Sequence, residues 1–75
     1  MANNGTERLK KQFGKNLTRY RIEEELTQEE LAERCDVSVE TISFIERGIH
    51  GPRFELLSKL AQVFRIEVRD LFDFS

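Results

Sequence analysis

The chain has 75 residues, 39% hydrophobic and 35% charged, with 12 basic side chains against 14 acidic ones and a net charge of −2. That composition excludes a disordered chain, and no apolar run approaches the ~20 residues of a membrane span. A single cysteine excludes an internal disulfide, and one Cys with one His excludes a four-ligand zinc site.

Charge is distributed unevenly. Residues 1–22 carry six basic side chains against Glu7 alone, residues 23–46 carry Arg34 against nine acids, and residues 47–75 are nearly balanced at +1. Two basic blocks therefore flank an acidic one, and a local basic face matters more to a polyanionic partner than the overall sum. A domain this small is marginal alone, with a net stability of about 3–5 kcal/mol, so self-association is expected to help it.

Residues 1–5 lack the charged and apolar regions of a signal peptide and are expected to be flexible, leaving residues 6–75 as one domain. Leu9, Phe13, Leu17 and Tyr20 repeat at helical spacing and predict a first helix from about Thr6 to Glu24. Gly14 lies inside it, where glycine costs roughly 1 kcal/mol relative to alanine. Thr27 and Glu30 form a T-x-x-E capping box that starts a second helix over Gln28 to Arg34. Asp36 falls in the following turn, where a left-handed backbone is expected. Ser38 caps a third helix running to about Arg47, and Gly48 ends it. Residues 49–53 read as a loop broken by Gly51 and Pro52. A fourth helix follows from about Phe54 to Phe64, with Leu57, Leu60, Ala61 and Phe64 on one face. Glu67 to Phe72 predicts a short fifth helix with Val68, Leu71 and Phe72 apolar. No segment alternates long enough to predict a strand.

Helices two and three are short and almost contiguous, with Leu31, Ala32, Cys35, Val37, Ile42 and Ile45 placed to interlock. That is how a chain builds a helix-turn-helix, whose second helix is offered to a DNA major groove. On that third helix, Ser38, Val39, Glu40 and Ser43 are the candidate base-contacting residues. Serine bonds donors or acceptors, valine meets a thymine methyl, and glutamate accepts from cytosine N4. Glu40 reads equally well as an acid favouring the helix dipole, worth typically 0.3–1 kcal/mol. Phe44, one residue off the inward face, is either a core aromatic or one that touches sugar or a methyl.

The stretch LTQEELAERCDVSVETISFIERG, followed by PRFELLSKLAQVFRIEVRDLF, resembles the Cro/cI-type helix-turn-helix repressors, the XRE family, over about residues 9–72. Asp36 departs from the glycine or asparagine usual there. The resemblance implies an all-α, compact five-helix lambda-repressor-like domain that binds double-stranded DNA as a homodimer in the cytoplasm. It implies phosphate contacts from Thr27 and Gln28 at the helix-two N-terminus, from Arg21 oriented by Glu46, and from Arg47, His50 and Arg53 in the loop. Gly51 would let that loop approach the backbone.

Val68, Arg69, Phe72 and Phe74 are the candidate dimer surface, because apolar groups clustered near an end mark association. Cys35 reads as a small buried hydrophobe, and Glu23-Glu24-Glu25 as a solvated helix end. No catalytic residue, metal, cofactor, membrane contact or small-molecule ligand is expected. A sequence-specific transcriptional regulator, repressor or controller, is the leading function. The alternative is a protein-interaction module on the same helices, such as an antitoxin or scaffold, favoured by the acidic block and by the absence of Arg, Lys, Gln or Asn over residues 38–43.

Overall fold

Four α-helices and one 3-10 helix follow one another in the computed structural model, which describes residues 4–75. α1 spans Asn4–Glu23, α2 Gln28–Cys35, α3 Val39–Glu46 and α4 Phe54–Phe64, and the 3-10 helix spans Val68–Phe72. No strand occurs among the described residues. The flexibility expected of residues 1–5 falls mainly on residues 1–3, which lie outside the described ones; Asn4 and Gly5 already belong to α1.

All four α-helices end alike. A left-handed residue follows each of them: Glu25 (φ 60°), Asp36 (φ 58°), Gly48 (φ 78°) and Arg65 (φ 58°). The next residue then donates its N–H five positions back, from Leu26 to Arg21, Val37 to Ala32, Ile49 to Phe44 and Ile66 to Ala61, at 2.9–3.1 Å. This double-bonded reversal satisfies carbonyls that the helix leaves open, and its outer residue is apolar in every case. Leu26 is buried, and Val37 and Ile66 pack on the core. Glycine takes the left-handed position only once, so Glu25, Asp36 and Arg65 each hold a backbone that costs an L-residue about 1 kcal/mol or more.

The fifth element, predicted as a short helix over Glu67 to Phe72, is a 3-10 helix over Val68–Phe72. Asp70 accepts at its carbonyl from Asn16 Nδ2 (3.4 Å) and Tyr20 Oη (3.4 Å), and the Leu71 carbonyl accepts from Asn16 Nδ2 (2.8 Å). These bonds tie the segment to α1, and the Asp70 carbonyl also accepts from the Asp73 N–H (3.2 Å), an i+3 bond of the 3-10 type. A reciprocal cap between Glu67 and Asp70 fixes its start, and a five-residue segment so constrained settles into the tighter 3-10 geometry.

Phe13, Leu17, Leu31, Cys35, Ile42, Leu60 and Leu71 are fully buried and draw every helix into one core. Leu9, expected on the same buried stripe as Phe13 and Leu17, is 45% exposed because it lies toward the N-terminal end of α1, beyond the packed face. Gly14 sits where α1 crosses α3. A Cβ at this position would lie 2.5 Å from the carbonyl oxygens of Ile45 and Glu46. The two helices therefore meet backbone to backbone, and the glycine is a packing requirement rather than a flaw in α1.

Candidate nucleic-acid interface

The α2 N-terminus is built as its sequence dictates. The Glu30 N–H donates to Thr27 Oγ1 (3.0 Å), and the Thr27 N–H donates to Glu30 Oε1 (2.8 Å). With two donors satisfied, the remaining free N–H groups of the first turn face outward with the partial positive charge of the helix end. Ser38 plays the same part for α3: its Oγ accepts from the Thr41 N–H (3.1 Å) and lies 2.9 Å from Thr41 Oγ1. Ser38 is exposed, but its side chain is directed at the cap.

Behind these termini lies a charged cluster linking three helices. Arg21 donates through Nε to Glu46 Oε2 (2.7 Å) and through Nη2 to Glu46 Oε1 (3.1 Å), and its Nη1 donates to the Leu26 carbonyl (2.8 Å). Gln28 Nε2 adds a third donor to Glu46 at 2.9 Å. The Arg21 and Glu46 side chains are only 15% and 5% exposed. This is a bidentate pair held out of water, stronger and more directional than a surface ion pair. The Arg21–Glu46 pairing implied by the family resemblance is present. Gln28, a candidate phosphate contact, also braces Glu46 with one of its two amide protons, an arrangement that sequence spacing did not reveal.

The outer face of α3 is set by its inner one. Ile42 and Ile45 are buried, which turns Glu40, Ser43, Phe44 and Arg47 to the opposite side at i, i+3, i+4 and i+7. Glu40 and Arg47 are exposed, and Ser43 and Phe44 are half-buried. Val39 is half-buried and leans on the core. Phe44 belongs to no part of that core. Its ring packs edge-on with His50 (centroids 5.3 Å apart), and the Arg47 guanidinium sits 5.2 Å above it.

The loop continues this surface. His50, Gly51 and Arg53 are exposed, and open space surrounds Gly51 where a Cβ would stand. Thr41, Phe44, His50, Arg53 and Lys59 help to line an open cleft of about 630 Å³ between α3 and the start of α4. Cys35 is buried between α2 and the core; burial pushes its thiol up from the ordinary range, and Lys59 partly opposes the shift. Among the described residues, no three His, Cys, Asp or Glu side chains are grouped to hold a metal ion, and no helix is long and apolar enough to cross a membrane.

The C-terminal candidates divide. Val68 (40%) and Phe72 (37%) are exposed, as is Arg69, whereas Phe74 is half-buried against the core. Phe72 also packs on Phe13 with ring centroids 5.0 Å apart. The largest apolar exposure lies elsewhere: Phe54, at the start of α4, is 86% exposed. Its position as the first residue of an apolar helix pattern concealed this, because Leu57 and Leu60 form the inward stripe and Phe54 projects past its end.

Comparison with known proteins agrees with this architecture. The helix-turn-helix family model matches residues 17–71. The chain is 44% identical over 55 residues to an uncharacterised HTH-type transcriptional regulator of Archaeoglobus fulgidus, covering 73% of this chain and 78% of that protein. It is 30% identical over 71 residues to control protein C.BamHI of Bacillus amyloliquefaciens, covering 93% and 88%. Among solved structures, the restriction-modification controller protein C.AhdI from Aeromonas hydrophila superposes with a TM-score of 0.80 at 32% identity, covering 84% of this chain and 96% of that one. The chain therefore belongs to the helix-turn-helix family and is a transcriptional regulator of the XRE type, not an enzyme.

Proposed function

We propose that this regulator binds operator DNA sequence-specifically as a homodimer in the cytoplasm and acts as a repressor or controller. The observation that carries the reading is the outward face of α3. It is anchored from behind by Ile42, Ile45 and the Glu46 cluster, while on the opposite side Glu40 and Arg47 are exposed and Ser43 and Phe44 only half-buried. An α-helix presented in this way fits a major groove. Ser38, Val39, Glu40 and Ser43 supply base contacts. Arg21, Thr27, Gln28, Arg47, His50 and Arg53 grip phosphates on either side, positioning the reader without specifying sequence. The likeness to two control proteins supports a controller type.

Dimerisation through Val68, Arg69, Phe72 and Phe74 would place two readers about one helical turn apart, ~34 Å, on a pseudo-palindrome. Selection of bound duplexes from a random library tests the whole reading. Enriched inverted repeats are expected, and recovery of no preferred sequence would refute sequence-specific binding.

A protein-interaction module is a second reading, favoured by one feature: residues 38–43 carry no Arg, Lys, Gln or Asn, and Glu40 is their single charge. A mobility shift with nonspecific duplex separates the two. DNA binding weakens steeply as salt rises, because neutralised phosphates release counterions. An absent or salt-independent shift would favour the interaction module.

A further inference from the structure

We propose that Phe44 is a specificity-determining residue that reads the 5-methyl group of a thymine in each half-site. The inference rests on the DNA-binding reading above and names a contact which that reading does not include. Its starting point is the placement of the ring. Of the other five phenylalanines, Phe13 and Phe64 are buried in the core, Phe72 packs on Phe13, Phe74 packs against the core, and Phe54 stands exposed at the start of α4. Phe44 does none of these. It stands beside Ser43 on the α3 face that carries Glu40, and it is half-covered by Arg47 and His50.

Such a ring is held rather than mobile. The guanidinium above its face is attracted by the ring quadrupole, and the His50 edge contact fixes its tilt. Even with both contacts the ring is only half-buried, and it lines the open cleft between α3 and α4, so part of its apolar surface stays accessible. Among base edges in the major groove, the thymine methyl is the apolar group available to cover that surface. Glu40, one turn earlier, accepts from cytosine N4. Together the two side chains select pyrimidines, an apolar edge at one position and a donor edge at another. No Arg or Lys fork from residues 38–43 competes for guanine. Arg47 and His50 flank the ring with donors suited to phosphate, so the side chains that hold the base-reading group also meet the backbone beside it.

The test uses the full chain and the duplex enriched from the random library. Each thymine of one half-site is replaced in turn by deoxyuridine, which removes only the methyl, and affinity is measured for wild type, Phe44→Leu and Phe44→Ala. Loss of one buried CH2-sized group predicts about a three- to fourfold weakening at one thymine. Changing both half-sites predicts about tenfold. Phe44→Ala should bind thymine and deoxyuridine equally there while keeping its sensitivity at other positions; Phe44→Leu should keep part of the difference. A wild type indifferent to every replacement, or a Phe44→Ala variant with an unchanged thymine preference, would overturn the role of Phe44 and leave DNA binding intact. Failure of wild type to enrich any duplex would overturn both.

Discussion

Replacing Gly14 with alanine sets two effects of opposite sign against each other, and the structure decides between them. Helix propensity favours the change: alanine in a helix interior is better than glycine by about 1 kcal/mol. Packing opposes it. The new Cβ would lie 2.5 Å from the carbonyl oxygens of Ile45 and Glu46 and 2.9 Å from the Glu46 carbonyl carbon. A relaxed carbon–oxygen contact needs about 3.3 Å or more, so α1 must retreat from α3 by roughly 0.8 Å. The obstructing atoms are main chain and cannot rotate away. A gap of that size forfeits a quarter to a half of the dispersion energy of the atoms along the crossing, and overpacking of this kind costs typically 1–3 kcal/mol, occasionally more. The retreat also pulls Arg21 from Glu46. A net destabilisation of about 2 kcal/mol is expected, close to half of the ~3–5 kcal/mol available to a domain of this size. Urea unfolding followed by helical circular dichroism should show a lower midpoint with an unchanged slope. Gly5→Ala, in open space on the same helix, serves as the control and should be neutral or slightly stabilising. A Gly14→Ala chain as stable as wild type would refute the backbone-to-backbone crossing.

Arg65→Gly should raise stability by about 1 kcal/mol by relieving a left-handed L-residue, read as a higher urea midpoint; a lower midpoint would show that the Arg65 side chain contributes more than its backbone costs. Glu46→Gln leaves the Arg21 guanidinium without its countercharge and should cost about 3–5 kcal/mol, enough to abolish a cooperative melt; a near-normal melt would reduce the pair to surface grade. Arg53→Ala should flatten the salt dependence of DNA binding by about one unit without changing sequence preference, and an unchanged slope removes it from the phosphate contacts. The Cys35 thiol has its pKa raised by burial from an ordinary value near 9. Its contribution is therefore fully present below that value and is lost as pH rises through the higher folded one. The stability difference between wild type and Cys35→Ala should narrow above pH ~9; a constant difference would argue that the thiol does not titrate on unfolding.

Local chemistry made much of this legible in the sequence. The Thr27 and Glu30 box, the Ser38 cap and the apolar spacing of Leu31, Cys35, Ile42 and Ile45 each act within a few residues, so their pattern survives in one dimension. Features that depend on distant partners did not. The Val68–Phe72 segment is held by Asn16 and Tyr20, which lie 54 and 50 positions from Asp70, to which they bond. A signal for Asn16 existed: it shares the inward stripe with Phe13, Leu17 and Tyr20, and a polar residue there asks for a partner. Gly14 read as a weak point because helix propensity knows nothing of α3. Glu25 and Arg65 were unmarked as helix stops because neither is glycine. Phe44 fell between two faces, and only the absence of core contacts separated the alternatives.

The support of α3 and its presentation come from different side chains. Ile42, Ile45, Glu46 and the Gly14 crossing fix its rear, whereas Glu40 and Arg47 are exposed on its other side. Substitutions on an exposed face of this kind usually shift stability by no more than about 0.5 kcal/mol. The scaffold can thus be retargeted without being rebuilt: new operators are reachable by changing a few outward residues one at a time, each intermediate still folded. On the DNA-binding reading proposed above, evolution of recognition in this chain is limited by the groove that α3 would enter rather than by the framework that carries it.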